Sequence, residues 1–428
     1  MSNRPEQPSA RPYRDGHRTS HWGVLVGSVL CVLALVVTAL YGWRIGWFAS
    51  MTGNDVAASS AAADAARNTP QQLARSATPK PDPSPAGKAH RMVNVMDMDT
   101  RIGQLVMAPL YAGNAPASLS SLIADRHVGS VLIIGKWTGG AASVRAAADQ
   151  LQGYAPGDNR LIISTDQEGG WVQHLTGPGF DRMPTAVDQG TMSTNQLRQS
   201  ASVWGSQLAA AGINVDLAPV LGTVVVNRAA NAPIGALYRD FGLDAAGNAA
   251  HGTAFVQGMA NAGVQSAIKH YPGLGAVTGN TDFTTDGILD TTTTLDGTEI
   301  KAFDTTIDKA DPAMVMMALA TYQAIDPNDP AVFSSIIIDG HLRGDLGYDG
   351  VVISDSMSAA AVSAYDTTQL GVKLVEAGGD LACIGDTNYV APILDGLSTR
   401  AASDPAFANK VTQSAIRVMT LKIKMGLA

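Results

Sequence analysis

From about residue 92 onward, short apolar, β-branched runs alternate with longer Ala-rich amphipathic stretches, joined by Gly-rich or polar turns. There are eight runs: QLVMAPL (104–110), GSVLIIG (129–135), RLIISTDQ (160–167), NVDLAPV (214–220), SAIKHYP (266–272), AMVMMAL (313–319), GVVISDS (350–356) and DLACIG (380–385). A run that is apolar on both faces fits a strand covered on both faces, and a helical stretch between successive runs makes such strands parallel. Eight units predict an α/β fold, a (β/α)8 TIM-like barrel over 92–428. The alternative is an open doubly wound sheet. That architecture would carry a G-x-G-x-x-G turn after a strand, and GLGAVTG after the fifth run has the wrong spacing. Gly273, Gly275 and Gly279 therefore read as a tight, mobile loop.

Residues 1–91 follow a different pattern. Trp22 to Trp43 is an uncharged, largely apolar segment, and about 20 such residues span a bilayer core as a helix. Trp22, Tyr41 and Trp43 sit at its ends, where amphipathic rings prefer the interface, and Arg4, Arg11, Arg14 and Arg18 precede it. The positive-inside rule then places tail 1–21 in the cytoplasm and the rest of the chain outside, as a single-pass membrane protein anchored by 22–43. A cleaved secretory signal is the other reading, but its apolar core is shorter, roughly 7–15 residues. Segment 44–91 is Ala/Ser-rich and then Pro-rich, with few large apolar side chains, and reads as a semi-stiff linker.

Composition narrows the function classes. Only 15% of the 428 residues are charged while 46% are hydrophobic, which excludes a disordered chain as a whole. The net charge is −8 with no basic block, so nucleic acid is not an expected partner. Two cysteines, Cys31 and Cys383, do not make a disulfide scaffold.

In a barrel of this kind the chemistry gathers where strands end. Asp166, Gln167 and Glu168 end the third run, Lys269 and His270 the fifth, and Asp355 the seventh. Asp355 reads as a ligand-binding or catalytic carboxylate, with a helix N-cap as the plain alternative; for Lys269 and His270 the plain alternative is a surface turn. With no closely spaced His or Cys set, no metal or other cofactor is expected. No G-x-S-x-G elbow follows a strand. Carboxylates with Lys, His and Arg fit a hydroxyl-rich ligand, a carbohydrate, and retaining glycoside hydrolysis needs one carboxylate nucleophile and one acid/base. Asp355 is the candidate nucleophile.

Several segments, taken in order, resemble glycoside hydrolase family 3, in its single-barrel β-N-acetylglucosaminidase branch. They are DMDTRIGQLVM, ISTDQEGGWVQHL, GINVDLAPVL, RDFG (239–242), AIKHYPGLG, AIDPNDPAVFS, LGYDGVVISDSM and RVMTLKIKMGL. The resemblance implies an exo-acting β-N-acetylhexosaminidase that trims cell-wall glycans such as peptidoglycan fragments. It implies that Asp355 is the nucleophile of a covalent glycosyl intermediate and that Asp166, Arg239, Lys269 and His270 hydrogen-bond the sugar in the subsite before the cleaved bond. The chain also departs from the family pattern. Trp171 and His174 replace two arginines, and His174 is retained as a substrate-binding candidate. Leu274 replaces a histidine, and Asn280 and Asp282 stand where the branch carries an Asp-x-His pair whose His is the acid/base. Two readings follow. Asp282 is the acid, its pKa raised by burial, or Asp282 is a solvated loop residue and the barrel is a glycan-binding or scaffold module at the cell envelope. General acid catalysis supplies roughly 10²–10⁴-fold, so the two readings differ greatly in rate.

Overall fold

The computed structural model describes residues 82–284 and 288–428. The predicted span at 22–43 lies outside these residues; among those described, no helix is long and apolar enough to cross a membrane.

Eight parallel strands form one sheet: β1 (Val106–Tyr111), β2 (Ser130–Ile134), β3 (Ile162–Thr165), β4 (Val215–Asp216), β5 (Gln265–Tyr271), β6 (Met314–Met317), β7 (Val351–Ser354) and β8 (Ala382–Cys383). Each predicted run supplies one strand. The order is β7-β6-β5-β4-β3-β2-β1-β8, with register set by pairs such as Met107 with Ser130 and Val351 with Met314. The seam between β7 and β8 is held by an isolated bridge, Ile353 to Leu381, and by the Cys383 amide donating to Ser354 Oγ at 2.9 Å. The sheet is thus a nearly closed barrel, consistent with the TIM type.

The strands are apolar throughout because both of their faces are buried. Met107, Leu132, Ile162, Val215, Ala267, Met314, Met316, Val351 and Ile353 fill the interior. Their strand neighbours Val106, Val131, Ile133, Ile163, Val315 and Val352 pack outward against the helices. These helices are α1 (Pro85–Val95), α2 (Ser120–Ala124), α3 (Gly140–Gln152), α4 (Thr194–Ala210), α5 (Ala245–Asn261), α6 (Lys301–Ala310), α7 (Thr367–Glu376), α8 (Val390–Ser403) and α9 (Pro405–Lys424). A wider, π-type segment, Ile336–Asp345, links β6 to β7. Helix starts follow local chemistry: Ser193 and Gln196 form a reciprocal capping box on α4, and Asp404 caps α9 ahead of Pro405. Val418, Leu421 and Leu427 join the interior cluster and close the bottom of the barrel.

Two local features differ from the sequence reading. Helix α1 straddles the boundary expected at 91/92, because Ser84 caps it and Ala89 and Val93 bury a narrow apolar stripe that the polar PAGKAHRMVNV pattern hides. The run RLIISTDQ is not one strand to its end: β3 stops at Thr165, and Gln167–Gly169 pairs antiparallel with Val172–Gln173. Gly169 and Gly170 make that hairpin possible, with φ of +99° and +58°.

Candidate active site

Side chains two positions apart on a strand share a face. Val351 and Ile353 point into the barrel, so Asp355, just beyond the end of β7, continues their row into a cleft above the strand ends. Steps of two lead likewise from Ile162 through Ser164 to Asp166, from Ala267 to Lys269, from Met107 through Pro109 to Tyr111 and from Leu381 to Cys383, and the last residue of each row lines the cleft. His270 is out of step. A register shift between Ile268 and Tyr271, where β5 meets β6, lets Lys269 and His270 both reach the cleft. The cavity measures about 490 Å³, the size of a small-ligand site.

A charge network forms the floor. Lys269 Nζ lies 2.5 Å from Asp166 Oδ1 and 2.6 Å from Glu168 Oε1, with the lysine only 1% exposed. Arg239 donates to both oxygens of Glu168, from Nε at 2.9 Å and Nη2 at 2.8 Å, while its Nη1 donates to the Pro233 carbonyl at 2.8 Å. Burial alone would favour neutral forms, but the mutual attraction wins: Glu168 is held well below the usual carboxylate range, and Lys269 and Arg239 are raised above their ordinary values. The two cations therefore stay charged and fixed. Asp216 on β4 is fully buried, with one oxygen accepting from the Gln167 amide at 2.9 Å and the other without a partner among the described residues. Burial raises its pKa well above the ordinary value.

Asp355 sits above this floor. Its Oδ1 accepts from the Ser356 amide at 2.8 Å, and its Oδ2 is 3.8 Å from His270 Nε2, too far for a hydrogen bond. Burial, and next the charge of Asp282, push its pKa up to about 7. His270 is held neutral by burial and by the Arg239 and Lys269 charges, and its Nδ1 has no partner among the described residues. His174 Nε2 approaches Asp166 Oδ2 at 3.9 Å from the far strand of the hairpin. Trp171, at the hairpin tip, is 75% exposed.

Asp282 comes from the loop after β5. The Asn280 side chain accepts from the Asp282 amide at 3.0 Å, and the loop docks on the segment after Asp355: the Ala360 amide donates to the Asp282 carbonyl at 3.3 Å and the Ala361 amide to the Thr281 carbonyl at 3.0 Å. The residue is open to solvent on its outer side. Loss of hydration toward the cleft raises its pKa, Arg239 and Lys269 oppose that, and Asp166 adds to it. The glycines of this loop serve close packing: a Cβ on Gly275 would run into the Thr223 carbonyl, and Gly273 has φ of +139°. All seven residues singled out in the sequence, Asp355, Asp282, Asp166, Arg239, Lys269, His270 and His174, line this one cleft. Among the described residues no group of three or more His, Cys, Asp and Glu side chains is placed to hold a metal ion.

A sequence model described as the glycosyl hydrolase family 3 N terminal domain matches residues 97–421. The chain belongs to glycosyl hydrolase family 3. A beta-hexosaminidase of Mycobacterium tuberculosis, LpqI, is 30% identical to it over 322 residues, 72% of this chain and 78% of LpqI. A beta-hexosaminidase of Alkalilimnicola ehrlichii is 31% identical over 292 residues, 65% of this chain and 81% of the relative. Among solved structures, the beta-N-acetylhexosaminidase of Beutenbergia cavernae superposes with a TM-score of 0.74 at 41% identity, covering 77% of this chain and 99% of that one. The family 3 chain is a glycosyl hydrolase similar to these beta-hexosaminidases.

Several residues in or under the cleft of this family 3 barrel were given no role from sequence. Glu168 is the hub of the floor, yet TDQEGG shows only that it ends a strand. Tyr111 and Cys383 line the wall, and Phe283 stands at the rim. Counting in steps of two from the interior residues of β1, β3 and β8 finds Tyr111, Glu168 and Cys383. No periodicity finds Phe283.

Proposed function

We propose that this chain is a retaining, exo-acting β-N-acetylhexosaminidase, tethered by residues 22–43 with its barrel outside the cytoplasm, acting on cell-envelope glycans such as peptidoglycan fragments. The observation that carries the reading is the delivery of a second carboxyl, Asp282, into the cleft of Asp355, above a fixed Lys269–Arg239–carboxylate clamp.

In this reading Asp166, Arg239, Lys269, His270 and His174 hold the terminal sugar by its hydroxyls. An Asp355 oxygen attacks the anomeric carbon while Asp282 gives its proton to the glycosidic oxygen, so the C–O bond breaks and a glycosyl ester forms on Asp355. Asp282, now a carboxylate, takes a proton from water as the water attacks the same carbon. Free sugar leaves and both carboxyls return to their starting states. The interior side chains Leu132, Leu217 and Met316 at the inner side of the cavity support exo action, because they leave the chain of sugars no way on through the barrel. Similarity to beta-hexosaminidases supports an N-acetylhexosamine in the terminal position.

The solvent-open side of Asp282 favours a second reading, a barrel that binds glycans without cleaving them. Assaying the full chain on an aryl β-N-acetylhexosaminide separates the two. Asp355→Ala is expected to lower kcat/KM on the order of a thousandfold or more. Wild type no faster than Asp355→Ala would leave only the binding module.

A further inference from the structure

Two aromatic rings stand open at the mouth of the cleft. Phe283, next to Asp282, is 81% exposed, and Tyr111, on the inward row of β1, is 41% exposed; both line the cavity. Neither position is a loose end. The Phe283 amide donates to the Asn280 carbonyl at 3.0 Å within the turn that docks on Ala360 and Ala361, and the Tyr111 hydroxyl donates to the Gly385 carbonyl at 2.7 Å. Tyr111 and Asp282 line the same cavity. Ser356 and Ser358, 3.1 Å apart through their hydroxyls, share the same wall.

The layout has a direction. The buried Lys269–Arg239 clamp lies at the floor, while Asp282, Phe283 and Tyr111 lie at the rim. On the hydrolase reading, a sugar held on the clamp turns its glycosidic oxygen toward Asp282, and the group beyond that oxygen meets the two rings and the serine hydroxyls. A pyranose has C–H faces that pack on an aromatic face while its hydroxyls stay wet, which an open rim permits. We propose that Phe283 and Tyr111 form the subsite for the sugar on the leaving side of the cleaved bond. This rests on the hydrolase reading above, with Asp282 at the leaving oxygen.

The test compares, in the full chain, a β-1,4-linked N-acetylglucosamine trisaccharide with N-acetyl-β-glucosaminyl fluoride, whose leaving group has no ring. Phe283→Ala should lower kcat/KM on the trisaccharide about tenfold more than on the fluoride, chiefly through KM, and Phe283→Tyr should restore most of it. Equal losses on both substrates, or none, overturn the subsite while the hydrolase reading stands. Wild-type cleavage of the fluoride but not of the trisaccharide means that Asp282 does not act as the acid, and the subsite falls with the reading it rests on. Fluoride hydrolysis no faster in wild type than in Asp355→Ala means that the hydrolase reading itself has failed, and the subsite falls with it.

Discussion

Asp355 is pushed up to about 7 and Asp282 is raised beside it, so the two carboxyls compete for a proton. Only one arrangement of that proton serves the proposed chemistry: Asp355 ionised to attack and Asp282 protonated to release the leaving group. Burial favours the proton on Asp355, the more enclosed of the two. A substrate with a good leaving group needs no acid, so its kcat/KM should rise with pH as Asp355 loses its proton, through a limb near pH 7. Asp282→Asn removes the charge that helps raise Asp355. The limb should then move to lower pH while kcat/KM on a disaccharide falls about a hundredfold. Fluoride and disaccharide pH profiles for both proteins check this; a limb that stays in place would mean that the two carboxyls do not interact.

At the scale of elements, the strands hold the floor and the loops bring the rest. Asn231 is fully buried between two loops: its Nδ2 donates to the Leu274 carbonyl at 2.8 Å and the Val277 carbonyl at 2.7 Å, and its Oδ1 accepts from the Gly235 amide at 2.6 Å. It thereby joins the loop that carries Arg239 to the loop that leads to Asp282. Asn231→Ala leaves three buried backbone groups unpaired, each costing about 1–3 kcal/mol before relaxation. Urea unfolding should show reduced stability, and KM should rise as Arg239 loses its seat; an unchanged KM in a destabilised protein would confine Asn231 to a structural role. The same division explains what could be read from the chain. Asp166, Lys269 and Asp355 extend rows of inward residues whose period of two is visible in the runs themselves, and Glu168 and Tyr111 obey the same count. Arg239 and Asp282 lie on loops without periodicity, and only the family resemblance pointed to them. Their positions depend on long-range ties such as Arg228 with Asp240 and Asn231 with Leu274, which no local pattern encodes.

For the whole molecule, residues within the segment that reads as a linker are already helical and packed. Ala89 and Val93 of α1 are fully buried in the core, the Ser84 hydroxyl accepts from the Gly87 amide at 3.0 Å, and Lys88 Nζ donates to the carbonyl of Ala428 at 3.0 Å. Helix α1 packs along α9, the helix that also closes the barrel floor. A chain cut to start at Met92 loses the cap, worth about 1 kcal/mol, along with the burial of Ala89. It should melt roughly 2–6 °C below a chain that starts at Asp82, whereas the Asp82 form should match the full chain in melting temperature and in kcat/KM on the fluoride. Because the proposed anchor lies upstream of both cuts, either truncation should move the protein from the membrane fraction to the soluble one. Equal melting of the two truncated forms would show that α1 contributes nothing to the barrel, and a full chain that is already soluble would remove the anchor from the proposal while leaving the site untouched.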